Sequence, residues 1–300
     1  MQNNQELRVS VVIPNFNGEE LLKKNLPSVL KAKDNPLNEI IEVIVVDDGS
    51  VDESVFLIKN NFPEVKLIKH KINRGFSASV NTGVRTAKGD LVVLMNTDVI
   101  PSQDFLVAVF SHFKDEKVFA VSLHEKGYAW ARGIFKDGYI EIAPGEETIQ
   151  AHLSFWVSGG SGVFRRSYWM KLGGMDEKLL SPFYWEDIDL CYRAAKRGWF
   201  NLWEPEANVV HKHESTISKF SKKYVERIRE RNQLLVLWKN IISPNLFRKH
   251  VLGLLKRLAG HPGYLRIILM ALFRIRTVLK ARSKEKREGK VSDEAIFAKF

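Results

Sequence analysis

Short apolar runs alternate with helical patterns over the first 95 residues, and this alternation constrains the fold more than any other feature of the chain. Strands that alternate with amphipathic helices are typical of βαβ units, in which parallel strands form the centre and helices cover the faces. The predicted strands are residues 9–13, 41–46, 65–68 and 91–95, and the predicted helices include 19–31 and 76–86. The pattern predicts an α/β fold with a mostly parallel central sheet flanked by helices.

Acidic side chains follow two of these predicted strands. Asp47 and Asp48 come directly after the second strand, and Asp98 ends the segment that follows the fourth. Ligands of open parallel sheets bind in the crevice outside the carboxyl ends of the strands. An aspartate at such a point can instead form a turn or cap the next helix. A ligand crevice is the functional interpretation, and a turn is the purely structural one.

A second acidic segment, YWEDIDLCYR at 184–193, places Glu186 and Asp187 at the start of a helix predicted to run to about Arg197. Acidic residues in a first turn are ordinary partners of the helix dipole. The same position presents free N–H groups that favour anions. The two acidic segments together indicate one carboxylate that holds a cation and another that accepts a proton.

Five segments of the chain share their order and spacing with one known family. They are SVVIPNFNGEE (10–20), EVIVVDDGSVDES (42–54), NRGFSASVNTGVRTAKGDLVVLMNTDV (73–99), SGGSGVFRRSYWMKLGGMDEKL (158–179) and YWEDIDLCYRAAKRGW (184–199). Over about residues 8–235 the chain resembles the family 2 glycosyltransferases, in particular the rhamnosyltransferase-like branch. The resemblance implies the GT-A fold. It also implies inverting transfer of a sugar from a UDP- or dTDP-linked donor to a hydroxyl of a glycan or lipid-linked acceptor.

The resemblance further implies that loops after the first strands hold the donor nucleotide. Asp48 matches the carboxylate that accepts hydrogen bonds from the base or the ribose, as an ionised carboxylate can. Gly75 lies in a segment where the backbone must approach the ligand closely. The other residues matched to nucleotide-sugar binding are Pro14, Asn15, Asn17, Asn73, Asn81 and Asn96.

A divalent cation is the cofactor that the resemblance implies. Asp98 matches the last acid of the family's D-x-D motif, which holds the cation on the diphosphate. Asn96 occupies the first position of that motif, a departure that leaves fewer charges. His211 lies where several relatives place a further metal ligand, and His213 is the competing choice. Imidazole, carboxylate and phosphate ligands suit Mn²⁺ or Mg²⁺.

Asp187 matches the family's catalytic base, with Glu186 beside it. The acceptor hydroxyl would attack the sugar opposite the diphosphate, so that one displacement inverts the anomeric carbon without a covalent nucleophile. A well-placed base contributes a factor of roughly 10²–10⁴ in rate. Trp185 and Trp156 can stack on acceptor sugar rings, although aromatic side chains so close to a core can equally belong to it.

Positive charge is concentrated at the end of the chain. From Lys219 onward there are 21 Lys and Arg against 6 Asp and Glu, a net charge of +15, whereas the preceding residues carry 25 against 29, a net charge of −4. Amphipathic helices are predicted around residues 246–258 and from Tyr264 to about Lys280, and the residues from about Ser283 as far as the final AIFAKF are expected to be mobile. We expect a catalytic domain at 1–240 and a basic helical tail at 241–300.

Basic amphipathic helices of this kind can lie in an anionic membrane interface. The alternative is that they pack on the catalytic domain or on a second subunit of a homo-oligomer. No apolar run reaches the roughly 18 residues of a membrane span, no secretory signal is visible, and the single cysteine, Cys191, fits a reducing compartment. The expected location is the cytoplasm, at the inner face of the cell membrane.

Two other classes of function compete with a transferase. A nucleic-acid-binding protein could use the basic tail, but the tail has few aromatic residues and contains no recognised RNA or DNA module, so no nucleic-acid partner is expected. A non-catalytic scaffold could bind sugar nucleotides through the same fold. The presence of Asp48, Asp98 and Asp187 together favours an enzyme over a scaffold.

Overall fold

A computed structural model describes residues 7–212 and 220–300 of the chain. The strands are β1 Val9–Asn15, β2 Ile40–Asp47, β3 Lys66–Lys69, β4 Leu91–Met95, β5 Val99–Pro101, β6 Val118–Glu125, β7 Ala131–Lys136, β8 Tyr139–Pro144, β9 His152–Ser154, β10 Ser161–Arg165 and β11 Phe200–His211. The helices are α1 Glu19–Lys33, α2 Ser54–Asn61, α3 Phe76–Thr86, α4 Val109–His112, α5 Arg166–Leu172, α6 Glu186–Lys196, α7 Lys222–Asn240, α8 Pro244–Gly260, α9 Leu265–Leu272, α10 Ile275–Glu288 and α11 Asp293–Phe297.

The central sheet of the described residues has the order β3-β2-β1-β4-β10-β6-β11-β5, with β9 beside β11. Strands β1 to β4 are parallel to one another, as predicted, and β6 is parallel to β11. Antiparallel pairing of β10 with β4 and β6, and of β5 and β9 with β11, makes the whole sheet mixed. The four predicted strands lie within two residues of their observed bounds, and the α/β fold is confirmed.

Each face of the sheet is covered by helices because side chains alternate along each strand. On β1, Val9, Val11 and Ile13 point into a core that also contains Leu22 and Leu26 of α1. Val12 of the same strand belongs to a second core on the other face, together with side chains of α3 and α6. The helix that carries Glu186 and Asp187 is therefore anchored to the sheet beneath it.

The C-terminal helices share a third core with the rest of the chain. Residues Leu234 to Leu237 of α7 lie in one buried cluster with Ile267 of α9, Val278 of α10 and Ile296 of α11. Helices α9 and α10 both contact α7. This core includes residues on both sides of position 240, and the division of the chain at that position stays a prediction. Within the described ranges, every helix is too short or too polar to cross a bilayer.

The expectation of mobile residues after Ser283 is wrong. Helix α10 continues to Glu288, and α11 follows at Asp293–Phe297. Asp293 is buried and accepts hydrogen bonds from Tyr192 Oη at 2.7 Å and Lys196 Nζ at 3.0 Å, and from the backbone N–H groups of Ile242 and Ser243. A highly charged segment is expected to be mobile only when its charged side chains find no partners in the fold. The Asp293 carboxylate accepts hydrogen bonds from four donors.

Candidate functional site

A cleft of about 1350 Å³ opens at the carboxyl ends of β1, β2 and β4. Of the residues predicted to form the site, Asn81 is the one described residue that does not line this cleft, and His213 lies outside the described residues. The cleft is strongly acidic. Six carboxyl groups line it against one arginine, Arg229, among the described residues; the acids are Asp48, Asp98, Glu125, Glu141, Glu186 and Asp187.

The loop after β1 is joined to the loop after β2 by polar side chains. Asn15 Nδ2 donates to Asp47 Oδ2 at 3.0 Å, and the Asn17 backbone N–H donates to Ser50 Oγ at 2.9 Å. Asn17 Oδ1 accepts from the backbone N–H of Val51 at 2.9 Å. Pro14, Asn15 and Asn17 all line the cleft, so these bonds hold the loop after β1 in one arrangement.

Asp48 binds the turn that precedes α3. Its carboxylate accepts the backbone N–H of Arg74 at 2.9 Å and that of Gly75 at 2.7 Å, and it lies 2.7 Å from His70 Nδ1. Gly75 has φ of 90°, a left-handed conformation that glycine adopts without strain. Asn73 Oδ1 accepts a second bond from the Gly75 N–H at 3.1 Å. Sequence reasoning missed His70, whose isolated imidazole carries no motif.

Asn81 is fully engaged behind the cleft. Its Nδ2 donates to Met175 O at 2.8 Å and Glu177 Oε1 at 2.9 Å, and its Oδ1 accepts from Trp169 Nε1 and the Met175 N–H. The structure therefore does not place Asn81, predicted to bind the nucleotide sugar, on the cleft wall. Asn81 ties α3 to the segment after α5. Of the two glycines in the motif, Gly75 lines the cleft, whereas Gly83 packs against Val12.

Asp98, His211 and Glu125 meet at one edge of the sheet, where β6 and β11 end and β5 begins. His211 is the last residue of β11, Glu125 is the last residue of β6, and Asp98 precedes β5. His211 Nε2 lies 3.2 Å from Asp98 Oδ1, and His211 Nδ1 lies 3.3 Å from Glu125 Oε2. Burial disfavours the imidazolium, but hydrogen bonding and charge from Asp98, with Glu125, outweigh burial and raise the pKa of His211. Glu125 was missed, although it ends an apolar run much as Asp98 does.

Asp98 and His211 supply two ligands of the kinds that a divalent cation takes. Among the described residues, no three His, Cys, Asp or Glu side chains surround a common point as a complete ligand set. A carboxylate oxygen beside an imidazole nitrogen suits Mn²⁺, whose remaining ligands can be phosphate oxygens and water. Asn96, at the first position of the motif, lines the cleft as a neutral amide. The residues present therefore fit a cation that is completed by a bound diphosphate.

Glu186 and Asp187 begin α6 after two residues with left-handed backbones, Tyr184 at φ 71° and Trp185 at φ 75°. Asp187 Oδ2 accepts the Gly159 N–H at 3.3 Å, and its Oδ1 accepts the Ile188 N–H at 2.8 Å. Burial raises the pKa of Asp187, while these N–H groups oppose the rise. Burial and the charge of Asp187 raise the pKa of Glu186 further.

The third acid of α6 behaves in the opposite way. Asp189 is completely buried and accepts from Arg193 Nε at 2.8 Å, Lys239 Nζ at 2.9 Å and Asn240 Nδ2 at 2.7 Å. Burial alone would raise its pKa, but the charges of Lys239 and Arg193 outweigh burial and lower it to about 2. This ion-pair network attaches α6 to α7, behind the end of the helix where Asp187 lines the cleft.

Helix α7 also holds the loop that leads into α6. The Asn232 side-chain amide donates to three carbonyls, those of Leu180 at 2.6 Å, Phe183 at 2.9 Å and Tyr184 at 2.9 Å. Arg231 Nη2 donates to Ser181 O at 2.7 Å. Neither residue was predicted, because their partners lie about 50 positions earlier in the chain. They fix the path of the backbone immediately before the acidic pair.

The two predicted stacking tryptophans are placed differently in the cleft wall. Trp185 is 8% exposed and belongs to the C-terminal core, although its edge lines the cleft. Trp156 packs at the border between two cores and also lines the cleft. Both positions combine packing with access to a ligand, so their role in sugar stacking stays a prediction.

The chain matches the model of "Glycosyl transferase family 2" over residues 10–170. It is 29% identical over 218 residues to the pre-mycofactocin glycosyltransferase of Mycobacterium tuberculosis, an alignment that covers 70% of this chain and 43% of that protein. It is 25% identical to the N-acetylglucosaminyl-diphospho-decaprenol L-rhamnosyltransferase of the same species, over 63% of this chain and 71% of that one. The chain thus spans less than half the length of the first of these relatives.

Solved structures with the same fold include glycosyltransferases in complex with nucleotides. GalNAc-T7 with UDP, GalNAc and Mn²⁺ superimposes with a TM-score of 0.62 at 19% identity, over 80% of this chain and 49% of that one. The mannosyltransferase PcManGT of Pyrobaculum calidifontis with GDP-Man and Mn²⁺ gives 0.58 at 19% identity, over 93% and 85%. These similarities confirm the GT-A fold. Because the family model covers more than half of the chain, the protein belongs to glycosyl transferase family 2.

Proposed function

We propose that the protein is an inverting glycosyltransferase that moves a sugar from a nucleoside diphosphate sugar to an acceptor hydroxyl. The observation that carries the proposal is the composition of one cleft. Asp98 with His211 and the buried carboxylate of Asp187 line the same cleft, on the end of the sheet where the loops after β1 and β2 also open. A cation-holding pair and a proton acceptor are the two groups that the reaction needs.

The donor's nucleoside would lie against the loops after β1 and β2. Pro14, Asn15 and Asn17 form one wall, and Asp48 stands at the end of β2. The Asp48 oxygens already accept backbone N–H groups, but a carboxylate has about four acceptor positions, so it can also take a hydrogen bond from a base or ribose. The turn at Asn73 and Gly75 would close the pocket, since Asp48 holds it in place.

The diphosphate needs positive charge that the cleft itself lacks. With Glu186 protonated, the five other carboxyl groups against one arginine would still repel an anionic donor, and this repulsion is strong where water is partly excluded. Mn²⁺ or Mg²⁺ held by Asp98 and His211 would neutralise the diphosphate, and when bound it stabilises the charge that develops on the leaving group. Asn96 in place of an acid reduces the negative charge there by one.

Asp187 would be the general base. Its N–H partners, Gly159 and Ile188, hold the carboxylate in one orientation, and its raised pKa improves its strength as a proton acceptor near neutral pH. The acceptor oxygen forms a bond to the anomeric carbon while the bond to the diphosphate oxygen breaks, and the hydroxyl proton passes to Asp187. Glu186, whose pKa is raised further, stays protonated and leaves Asp187 as the ionised member of the pair.

We further propose that the acceptor is linked to a lipid and is reached at the cytoplasmic face of a membrane. Residues 241–284 contain ten Lys and Arg and no Asp or Glu. Helices α8, α9 and α10 and the turn between α9 and α10 also expose large apolar side chains, which we call the tail surface: Val251, Leu252, Leu255, Leu265, Leu269, Leu272, Phe273 and Leu279. Apolar side chains among cations match an anionic bilayer interface, whereas a nucleic acid would leave the apolar groups without a partner.

A screen of nucleotide sugars tests the central proposal. The full chain is heated with UDP- and dTDP-sugars in the presence and absence of Mn²⁺, since a ligand at about 100 times its dissociation constant stabilises a protein by about 2.7 kcal/mol. The expected result is stabilisation by one donor that requires the cation. Donors that bind are then incubated with lipid-linked and free glycan acceptors, and released nucleoside diphosphate is measured. Binding without turnover on any acceptor would support a scaffold instead.

A further inference from the structure

We infer that Glu125 is a positioning residue that orients His211, so that the imidazole presents Nε2 to the cation proposed to lie at Asp98. Glu125 and Asp98 lie beside opposite nitrogens of one ring, Glu125 at 3.3 Å from Nδ1 and Asp98 at 3.2 Å from Nε2. The inference rests on the proposed cation site. Glu125 lies in none of the sequence motifs of the chain.

The backbone places these three side chains together. Glu125 pairs with Val209 in the parallel β6–β11 ladder, and His211, two residues further along β11, is on the same side of the strand. His211 itself pairs with Val99, the residue after Asp98. The side chains are only 12% exposed for His211, 13% for Glu125 and 5% for Asp98. The ring is therefore confined between two carboxylates on a rigid sheet end.

The chemistry of metal-bound histidine explains what Glu125 does. A ligating histidine usually donates its other ring N–H to a carboxylate or carbonyl, which fixes the tautomer and the ring orientation. A cation shared by Nε2 and Asp98 would leave the one ring proton on Nδ1, where the Glu125 carboxylate can accept it.

A role for Glu125 as a direct ligand fits the geometry less well. The two ring nitrogens point in different directions, and a cation between Nε2 and Asp98 lies on the far side of the ring from Glu125. The described residues accordingly contain no group of three such side chains around one point. The distances from His211 to Asp98 and to Glu125 together support a role in which Glu125 orients the imidazole and does not itself bind the cation.

The test uses the full chain and the variants E125A, E125Q and D98A, with E141A as a matched control. Glu141 is an exposed acid that lines the same cleft, so its removal changes the cleft's charge by the same amount. Two quantities are measured: the His211 Nδ1–H resonance of the Mg²⁺-loaded protein, from ¹H–¹⁵N NMR of the imidazole, which persists where a hydrogen-bond acceptor slows exchange with water, and the affinity for Mn²⁺ alone, from the EPR signal of the free ion.

We expect a persistent Nδ1–H resonance in the parent protein, in E125Q and in E141A, because glutamine keeps an acceptor oxygen for that N–H. We expect E125A to lose this resonance and to bind Mn²⁺ about 10–100-fold more weakly, while E125Q loses less. An unchanged resonance and Mn²⁺ affinity in E125A, with weakened binding in D98A, would overturn the inference alone. Equal losses of Mn²⁺ affinity in E125A and E125Q with the resonance unchanged would overturn it in favour of direct ligation. Parent-like Mn²⁺ affinity in D98A would remove the proposed cation site itself.

Discussion

Neighbouring carboxylates of α6 differ because of what surrounds each one. Asp187 and Glu186 are buried with few compensating charges, and burial raises the pKa of both. Asp189, two residues further on, faces Lys239 and Arg193, and its pKa falls to about 2. Three acids within one helical turn therefore differ: Asp187 is the proposed proton acceptor, the raised pKa of Glu186 favours its protonated form, and Asp189 is an ion-pair partner.

Asp187→Asn should lower turnover by roughly 10² or more, because asparagine keeps the shape of the side chain but cannot accept the acceptor's proton. Binding of the donor should change little, since its proposed contacts lie elsewhere in the cleft. The measurement is steady-state turnover together with donor titration. Near-parental turnover would remove Asp187 from the mechanism.

The pH dependence of kcat/KM should show an acid limb well above the value of about 3.9 that is usual for aspartate. The base works only when ionised, and the raised pKa of Asp187 means that protonation removes activity at a higher pH than for an exposed aspartate. A profile recorded from pH 4.5 to 9 checks this. Activity that stays constant down to pH 4.5 would contradict the assignment.

Asp98→Ala should weaken Mn²⁺-dependent binding of UDP or dTDP by about tenfold or more, since even residues that only support metal ligands have effects of that size. Isothermal titration with and without the cation measures the loss. Asp187→Asn serves as the control, because it removes a charge from the same cleft without touching the proposed cation site. Parental binding by Asp98→Ala would place the cation elsewhere.

At the scale of elements, the position of the proposed catalytic pair, Glu186 and Asp187, depends on α7. This helix lies after the region matched by the family model, yet it contacts the loop before α6 through Asn232 and the underside of α6 through Lys239. The left-handed backbones at Tyr184 and Trp185 cost free energy and persist because surrounding contacts hold them. Helix α7 therefore supports the proposed active site and is more than a link to the tail.

Asn232→Ala should destabilise the protein by about 1–3 kcal/mol, because it removes the donor shared by three carbonyls. It should also lower kcat more than it raises KM, since the loop that sets the orientation of Asp187 is released. The control is Asn38→Ala, which removes another fully buried asparagine, bonded to Ala32 O and Gln103 O, away from the cleft. Denaturant unfolding and kinetics are compared. If both variants lose stability alike and neither changes kcat, Asn232 is purely structural.

On the scale of the whole molecule, the C-terminal helices have two different sides. One side is buried against α7 and contributes to a shared core. The other is the tail surface, with Phe273 91% and Leu252 61% exposed among lysines and arginines. Because the buried side belongs to the core, point substitutions on the tail surface test membrane binding better than deletion of the helices would.

The double variant Leu252→Glu with Phe273→Glu should lose co-sedimentation with anionic vesicles while keeping its fold and its activity on a soluble acceptor. Each substitution removes apolar contact and adds repulsion from an anionic surface, where a basic residue is worth about 1 kcal/mol. High salt should weaken binding of the parent. Ile149→Glu, at a residue 94% exposed, is the matched control. Equal binding by all proteins, or by neutral and anionic vesicles, would favour contact with another protein.

The sequence alone determined the features that depend on neighbouring residues and those that follow from the resemblance to the family. Apolar periodicity located β1 to β4 and α3, because burial on a strand or helix repeats with the period of that element. The acidic pair Glu186 and Asp187 marked the start of α6. Acids that follow apolar strands indicated Asp48 and Asp98, since all parallel strands of a sheet end at one edge. Those positions line the cleft where they were expected.

Only the tertiary structure decided which side chains meet across long separations. The contact of Glu125 with His211 depends on the register of β6 against β11, and the hold of Asn232 on the loop before α6 joins residues about 50 positions apart. The Asn81 side chain bonds to Met175 behind the cleft, and Asp293 attaches the charged C-terminal segment to α6 through Tyr192. Such contacts depend on strand register and packing between distant elements, which a local pattern of residues does not encode.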